Sequence, residues 1–275
     1  MNERKHRRSA RQQDQAVCGL AAATAACEAR PDALVRLLVR ADVAPRFSEV
    51  MRAMAARRRP YRVVADDELA RAAGTDRHQG VVATFVAPRL AGDADVIDRF
   101  AAAGGRPPLC VYLDGVGNPH NLGAIARTAA HFGVDLLLQA DRPGAARPSA
   151  AAFRVAEGGL EAVEVALLAR PEATLQTLQQ RFGVRLLATA ADGAALLTGP
   201  QQADPLGLRG PVCWLFGEER DGLSPSVRRL ADLAVRVEGT GAVESLNVAA
   251  TTAVVLAETW RQRALAAALS SKTAR

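Results

Sequence analysis

Three blocks of polar and glycine residues stand out, each placed just after an apolar run. The first is Asn121-Leu-Gly-Ala-Ile-Ala-Arg127-Thr-Ala-Ala-His-Phe-Gly133. A guanidinium stays protonated, so Arg127 suits holding an anion or stabilising developing negative charge rather than ordinary base catalysis. Asn121 lies six residues before it, not the three or four that place two residues on one helix face, and it also reads as a simple helix cap. His120 beside it is either a proton relay or polar surface. The second block is Leu215-Phe-Gly217-Glu218-Glu219-Arg220-Asp221-Gly222-Leu223-Ser224. Its two glycines allow a tight loop whose amides approach a ligand closely. One of its adjacent acids can pair with Arg220. The third block, Val237-Glu-Gly-Thr-Gly-Ala-Val-Glu-Ser245-Leu246-Asn247-Val, is a glycine loop running into an apolar helix. Such a helix start offers unpaired amides to a ligand's acceptors. Ser245 also reads as an N-cap of that helix.

Other chemistries find little support. Asp114-Gly-Val-Gly-Asn-Pro119 is not a dinucleotide turn, because Asn118 and Pro119 sit where that pattern needs other residues and the helix begins too late. The chain has no G-x-x-x-x-G-K-[ST] loop, which argues against a nucleotide hydrolase. Cys18, Cys27, Cys110 and Cys213 form no C-x-x-C pair, and His6, His78, His120 and His131 complete no zinc spacing. Neither a disulfide framework nor a metal site is expected, and each cysteine reads as a small buried hydrophobe.

The elements that must position the blocks follow from periodicity and punctuation. With 275 residues, 49% of them apolar, one large or two smaller domains are expected. No apolar stretch approaches the roughly 20 residues of a membrane span, and the basic N-terminus has no apolar segment and cleavage site behind it. A cytoplasmic protein without membrane contact is the expectation. Residues 1–90 hold 17 Lys+Arg against 10 Asp+Glu, whereas residues 91–275 hold 18 against 19, so the basic excess lies in the first third. It is mostly arginine, which suits phosphate and stacks on bases, and a polyanionic partner is inferred there.

Residues 1–14 read as a flexible basic tail. Residues 16–29 read as alanine-rich helix stopped at Pro31, followed by strands at 34–39, 62–64 and 80–86 and helices at 47–58 and 67–73. Glycines and prolines between 87 and 108 mark a boundary, with a linker at 89–106 that allows a short helix at 94–103. Beyond it a longer alternation is expected: strands at 109–113, 134–138, 163–167, 185–189, 212–216 and 233–237, and helices at 121–132, 150–159, 171–181, 224–230 and 244–264. Strands separated by helices imply a mainly parallel α/β sheet covered on both faces, with ligands at the carboxyl ends of the strands. The three blocks follow three of those strands and can meet at one edge.

In this order and at these spacings, the blocks resemble the signatures of the SpoU (TrmH) family of RNA ribose 2′-O-methyltransferases, of the SPOUT class. The resemblance places the methyltransferase domain at residues 107–266, with a C-terminal tail at 267–275. Residues 15–88 resemble the L30e-like substrate-binding domain that often precedes it, including Asp76-Arg-His-Gln-Gly-Val-Val-Ala83. The likeness implies a trefoil-knotted fold, which the no-threading rule would have argued against. It further implies S-adenosylmethionine as cofactor, a homodimer through the C-terminal domain, and structured ribosomal or transfer RNA as substrate, with ribosomal RNA favoured by the domain architecture. By the same likeness Arg127 handles the target 2′-hydroxyl and its neighbouring phosphate, as base or as charge stabiliser, and Asn121, Glu219, Ser245 and Asn247 support it. Cofactor contacts would come from Thr189, Ala190, Gly193, Leu215, Gly217, Glu219, Gly222, Val237, Leu246 and Asn247. Glu218 departs from the pattern, standing where a small polar residue is common. The rival reading is a catalytically silent RNA-binding protein that keeps the fold.

Overall fold

The computed structural model describes residues 14–102, 104, 106–197, 204–218 and 221–273, without the side chains of 269–273. The basic tail expected at 1–14 lies outside them, apart from Asp14, and so does Glu219. The described chain forms two compact units: residues up to Arg89 together with Pro148–Glu161, and Leu90–Arg147 together with Ala162 onwards.

The first unit is built on β1 (Asp14–Cys18), α1 (Leu20–Ala29), β2 (Leu34–Val39), α2 (Ser48–Ala56), β3 (Tyr61–Val63), α3 (Asp66–Ala73) and β4 (Val81–Val86). Its sheet runs β1-β4-β2-β3, with only the β2–β3 pair parallel. The helix expected from residue 16 begins at Leu20 instead. Ala16, Val17 and Cys18 pair with Thr84, Ala83 and Val82, and Gly19 turns at φ 97° between strand and helix. Ladder bonds and burial of Val17 and Cys18 outweigh the modest helix preference of a short alanine-rich stretch. The first free amide of α1 is capped from a distant turn, Leu20 N donating to Gln79 Oε1 at 2.8 Å. Residues 148–161 belong here because Arg30 bonds Glu161 at 2.8 Å, stacks over Phe85 and Phe153, and Gln15 donates to Pro148 O.

The second unit contains α4 (Asp93–Ala101), β5 (Leu109–Asp114), α5 (Pro119–His131) and β6 (Leu136–Ala140). After α6 (Ala150–Ala156) in the first unit and the short α7 (Gly159–Ala162), it resumes with β7 (Glu164–Leu168), α8 (Pro171–Phe182), β8 (Arg185–Thr189) and β9 (Ala195–Leu196). It ends with β10 (Val212–Gly217), α9 (Pro225–Arg228), β11 (Leu233–Arg236) and α10 (Val248–Thr273). The sheet order is β7-β6-β5-β10-β8-β11-β9 and every pair is parallel. Strand alternation sorts its side chains by face. Cys110, Tyr112, Cys213 and Leu215 pack with Val96 and Phe100 of α4 and Leu175 and Leu178 of α8. On the opposite face Trp214 donates its indole N–H to Thr259 of α10 at 3.0 Å, and α10 packs on α5. All four cysteines are buried with free thiols; burial pushes the Cys27 thiol up to about 12 and raises Cys110 and Cys213 as well.

Three expectations shift. From Leu90 onwards the segment expected as a linker is part of the second unit: Ala91 bridges to Ala166 and α4 buries Val96 and Phe100. The strand expected at 134–138 starts at Leu136, because Gly133 turns at φ 68° and the Asp135 carboxylate is spent on Leu109 N and Arg106. The last helix starts at Val248 and continues to Thr273, through most of the expected tail.

Asp93 ties α4 to the start of α8, accepting from Ala169 N at 2.9 Å, Arg170 N at 3.2 Å and the Thr174 hydroxyl at 2.6 Å. Burial opposes its ionisation, but these three donors outweigh burial and hold the carboxyl below its usual value. A folded-state pKa that is depressed stabilises above the unfolded value and loses that contribution as the pH falls through the folded one. Asp93→Ala is therefore expected to cost about 1–3 kcal/mol at pH 7. Urea unfolding of both proteins checks this, with the difference shrinking as the pH drops through the acid range.

Candidate active site at the carboxyl edge of the parallel sheet

The sheet order decides where the blocks meet. β10 lies between β5 and β8, and β11 lies on the far side of β8. The loops leaving β5, β10, β8 and β11 are therefore neighbours at one edge, at the point where the strand order reverses.

The β5 end is fixed by a buried carboxylate. Asp114 Oδ1 accepts from the Tyr112 hydroxyl at 3.2 Å and from Arg142 at 3.1 Å, while Oδ2 accepts from Ser224 N at 2.8 Å. Burial, and then the Asp114 charge, raise the Tyr112 phenol above its ordinary value, so it serves as a neutral donor. Arg142 also reaches Glu172, and Ser226 donates to the same Glu172 oxygen at 2.8 Å. This network binds the loop after the second block to the strand before the first. Sequence reasoning missed it; its one local signal was an acid closing the apolar run 109–113.

The second block folds back on itself. Glu218 and Gly222 exchange two backbone hydrogen bonds, at 3.0 and 2.9 Å. A Cβ on Gly217 would lie 2.0 Å from the Gly222 carbonyl carbon, so only glycine permits the closure. The Glu218 side chain lies along Gly115 of the first loop. Glu219, expected as the functional acid, lies outside the described residues.

The loop after β8 is stitched to both neighbouring strands. Thr189 Oγ1 donates to Leu215 O at 3.1 Å, and Ala190 N donates to Val235 O at 3.0 Å. Gly193 is buried so tightly that a Cβ would come within 2.8 Å of Ala234 O. Asp192 pairs with Arg228 of α9. Thr189, Ala190, Gly193, Leu215, Gly217 and Gly222 thus gather along this edge, with Val237 leaving it just after β11.

The third block meets the first through two asparagines. Asn247 Nδ2 donates to Asn121 Oδ1 at 3.3 Å. Neither has quite the place expected. Asn118 caps α5, its side chain accepting from His120 N at 2.9 Å, so Asn121 lies inside the first turn rather than at the cap. The cap of α10 is Asn247, whose Oδ1 accepts from Ala249 N at 2.9 Å and whose carbonyl accepts from Thr251 N. Ser245 and Leu246 precede the helix in an exposed loop, and Leu246 is 48% exposed despite its apolar side chain. Arg127 is exposed on α5, as is His120 at its start.

The edge thus offers main-chain loops from four strands, an exposed leucine, an asparagine pair and an exposed arginine. Residues 108–257 match the SpoU rRNA Methylase family, and residues 16–91 match the family described as RNA 2′-O ribose methyltransferase substrate binding. Among relatives, an uncharacterized tRNA/rRNA methyltransferase, YfiF of Escherichia coli O157:H7, is 34% identical over 93% of this chain and 70% of its own. The 23S rRNA (guanosine-2′-O-)-methyltransferase RlmB of Xanthomonas axonopodis pv. citri is 32% identical over 91% of this chain and 98% of its own. A solved RNA 2′-O ribose methyltransferase superposes with a TM-score of 0.71 at 27% identity, covering 95% of this chain and 92% of that one. The SpoU methyltransferase AviRb of Streptomyces viridochromogenes, solved with AdoMet, shares the fold at a TM-score of 0.71 and 24% identity, over 96% and 94% of the two chains. The chain belongs to the SpoU rRNA methylase family of RNA 2′-O-methyltransferases.

Proposed function

We propose that this S-adenosylmethionine-dependent RNA 2′-O-methyltransferase acts on ribosomal RNA in the cytoplasm, and that Arg127, Asn121 and Asn247 form the part of its site that meets the target ribose. The observation that carries the reading is the 3.3 Å contact between Asn247 and Asn121, which joins the third block to the first on the helix that bears Arg127. Ribosomal RNA is favoured because several relatives are 23S rRNA (guanosine-2′-O-)-methyltransferases.

The residues at the edge suit the cofactor. Gly193 and Gly217 let main-chain groups crowd together where a side chain would intrude, Gly222 turns the loop at φ 67°, and Thr189, Ala190, Leu215 and Val237 border them. Leu246 adds an exposed apolar surface suited to a neutral nucleoside. S-adenosylmethionine, when bound, supplies a methyl group on a sulfonium whose thioether leaves uncharged. The protein's own task is then to align the hydroxyl and to stabilise the oxygen as it loses its proton. Arg127 serves by holding the adjacent phosphate and the developing alkoxide charge, since its guanidinium is a donor and stays charged. Asn121 and Asn247 present an amide donor and acceptor to ribose, with Ser245 of the third block and Glu219 of the second as further polar groups. A homodimer through the second unit is part of the proposal, supported by Val254, Trp260 and Leu265, which leave large apolar groups exposed on α10.

Two sets of variants test the assignment. Arg127→Ala is expected to abolish transfer of labelled methyl to ribosomal RNA, by about 10²-fold or more, while isothermal titration finds cofactor affinity nearly unchanged. Full turnover in that variant would remove Arg127 from the mechanism. At Asn247 the cap and the ribose-facing role separate by chemistry. Asn247→Ala loses the cap and should destabilise by about 1 kcal/mol, whereas Asn247→Asp keeps a capping oxygen but has no N–H for Asn121. Thermal unfolding should distinguish the two variants while methyl transfer falls in both; an active Asn247→Asp protein would confine Asn247 to capping.

A further inference from the structure

In the first unit, residues 44–63 carry six arginines and one acid, Glu49. Three of the arginines have structural partners. Arg57 reaches Pro31 O at 3.3 Å and Asp32 at 2.7 Å, Arg59 reaches Leu34 O at 2.7 Å, and Arg62 pairs with Glu68 at 2.7 Å. The other three, Arg46, Arg52 and Arg58, are exposed, and their side chains have no hydrogen-bond or ion-pair partner among the described residues.

Arg58 is the most informative of these. Its φ of 54° lies in the left-handed region, just past the end of α2, where glycine fills the backbone need without cost. Its two neighbours in the run are tied back to the 31–34 turn, so the strained residue between them is held with its guanidinium outward. Next along the chain comes β3, an edge strand paired only with β2. Strand alternation puts Tyr61 and Val63 on one side of it, 40% and 55% exposed, and α2 packs beside it carrying Arg52. A flat aromatic ring and an apolar neighbour thus follow Arg58 closely in the chain, beside the helix that carries Arg52, and neither arginine has an ion-pair partner among the described residues.

We propose that the end of α2, the 57–60 turn and β3 form a docking surface for an unpaired or looped segment of RNA, with phosphates on Arg52 and Arg58 and a base stacked on Tyr61. The proposal rests on the RNA-methyltransferase reading and names where its substrate is gripped outside the catalytic unit. Charge complementarity selects the occupant: a second copy would bring three unpartnered arginines against three, whereas a polyanion neutralises them. The exposed tyrosine selects within nucleic acid, because stacking needs a base that is free of a duplex.

The test measures binding of a labelled single-stranded RNA of mixed sequence to the full chain across a salt series, beside methyl transfer to ribosomal RNA. Arg58→Gly relieves the backbone while removing the charge, so its thermal midpoint should equal or exceed the parent's. Its RNA affinity should fall and its log–log salt slope should drop by about 1. Tyr61→Ala should weaken binding by roughly 5-fold to 100-fold with the salt slope unchanged, and Tyr61→Phe should restore it. Both weakened variants should raise KM for RNA at unaltered kcat and cofactor affinity. Parental affinity and KM in Arg58→Gly and Tyr61→Ala would overturn the surface, as would equal losses in Tyr61→Ala and Tyr61→Phe. A parent chain that binds cofactor but methylates no RNA would instead overturn the reading on which the surface rests.

Discussion

A buried carboxylate accounts for much of the order at the catalytic edge. Asp114 is almost fully enclosed, and an ionised group in that position is tolerated only when its acceptor sites are filled. Here they are filled by a phenol, a guanidinium and a backbone amide, each from a different part of the chain. Arg142 and Glu172 extend the network to the end of β6 and the start of α8. Because Ser224 N is among the donors, the loop after the second block cannot drift from the strand that precedes the first without orphaning the charge. Holding two loops through one buried acid costs less ordering entropy than fixing each by separate surface contacts.

Close backbone approach is the second constraint, and it works with the first. β10 enters the sheet between β5 and β8, so its exit loop has a neighbour on either side. Gly217 allows that loop to close upon itself, and buried Gly193 allows the loop after β8 to lie against the end of β11. A methyl group at either place would collide with backbone, which has no rotamer by which to yield. Gly217 and Gly193 are therefore spent on close backbone packing, which leaves main-chain groups, rather than long side chains, at those two places on the edge.

The sequence was most legible where a local pattern coincides with the tertiary outcome. The run 34–39, apolar except for exposed Arg36, is β2, and Pro171 and Gly183 bracket α8 closely because one suits a first helical turn and the other a left-handed stop. It was least legible where distant partners decide. Ala16–Cys18 become strand because β4 is there to pair with them, and 148–161 join the first unit through Arg30 and Gln15, more than a hundred residues earlier. The site divides in the same way. The three blocks show themselves by residue type and spacing, whereas the Asp114 network links residues as far as 110 positions apart and leaves only an acid at a strand end as its trace. The capping role of Asn247 was obscured for a local reason: Ser245 and Asn247 are both good caps, and only the start of α10 at Val248 distinguishes them.

The last helix carries this logic from one end of the second unit to the other. Asn247 at its start contacts Asn121, and Trp214 holds its middle through Thr259. Near its far end Arg263 donates to the carbonyls of Pro107, Pro108, Leu208 and Gly210, the residues that lead into β5 and β10. Burial lowers the Arg263 pKa, yet four carbonyl acceptors compensate a guanidinium that remains charged. Sixteen residues of helix separate Asn247 from Arg263, about 24 Å. The register of the asparagine pair is therefore fixed not only by its own single contact but by a rigid rod anchored at the amino ends of the strands whose carboxyl ends form the site. A weak hydrogen bond between two exposed amides can hold position in this way, because the entropy of placing one partner against the other has already been met by the helix that carries it.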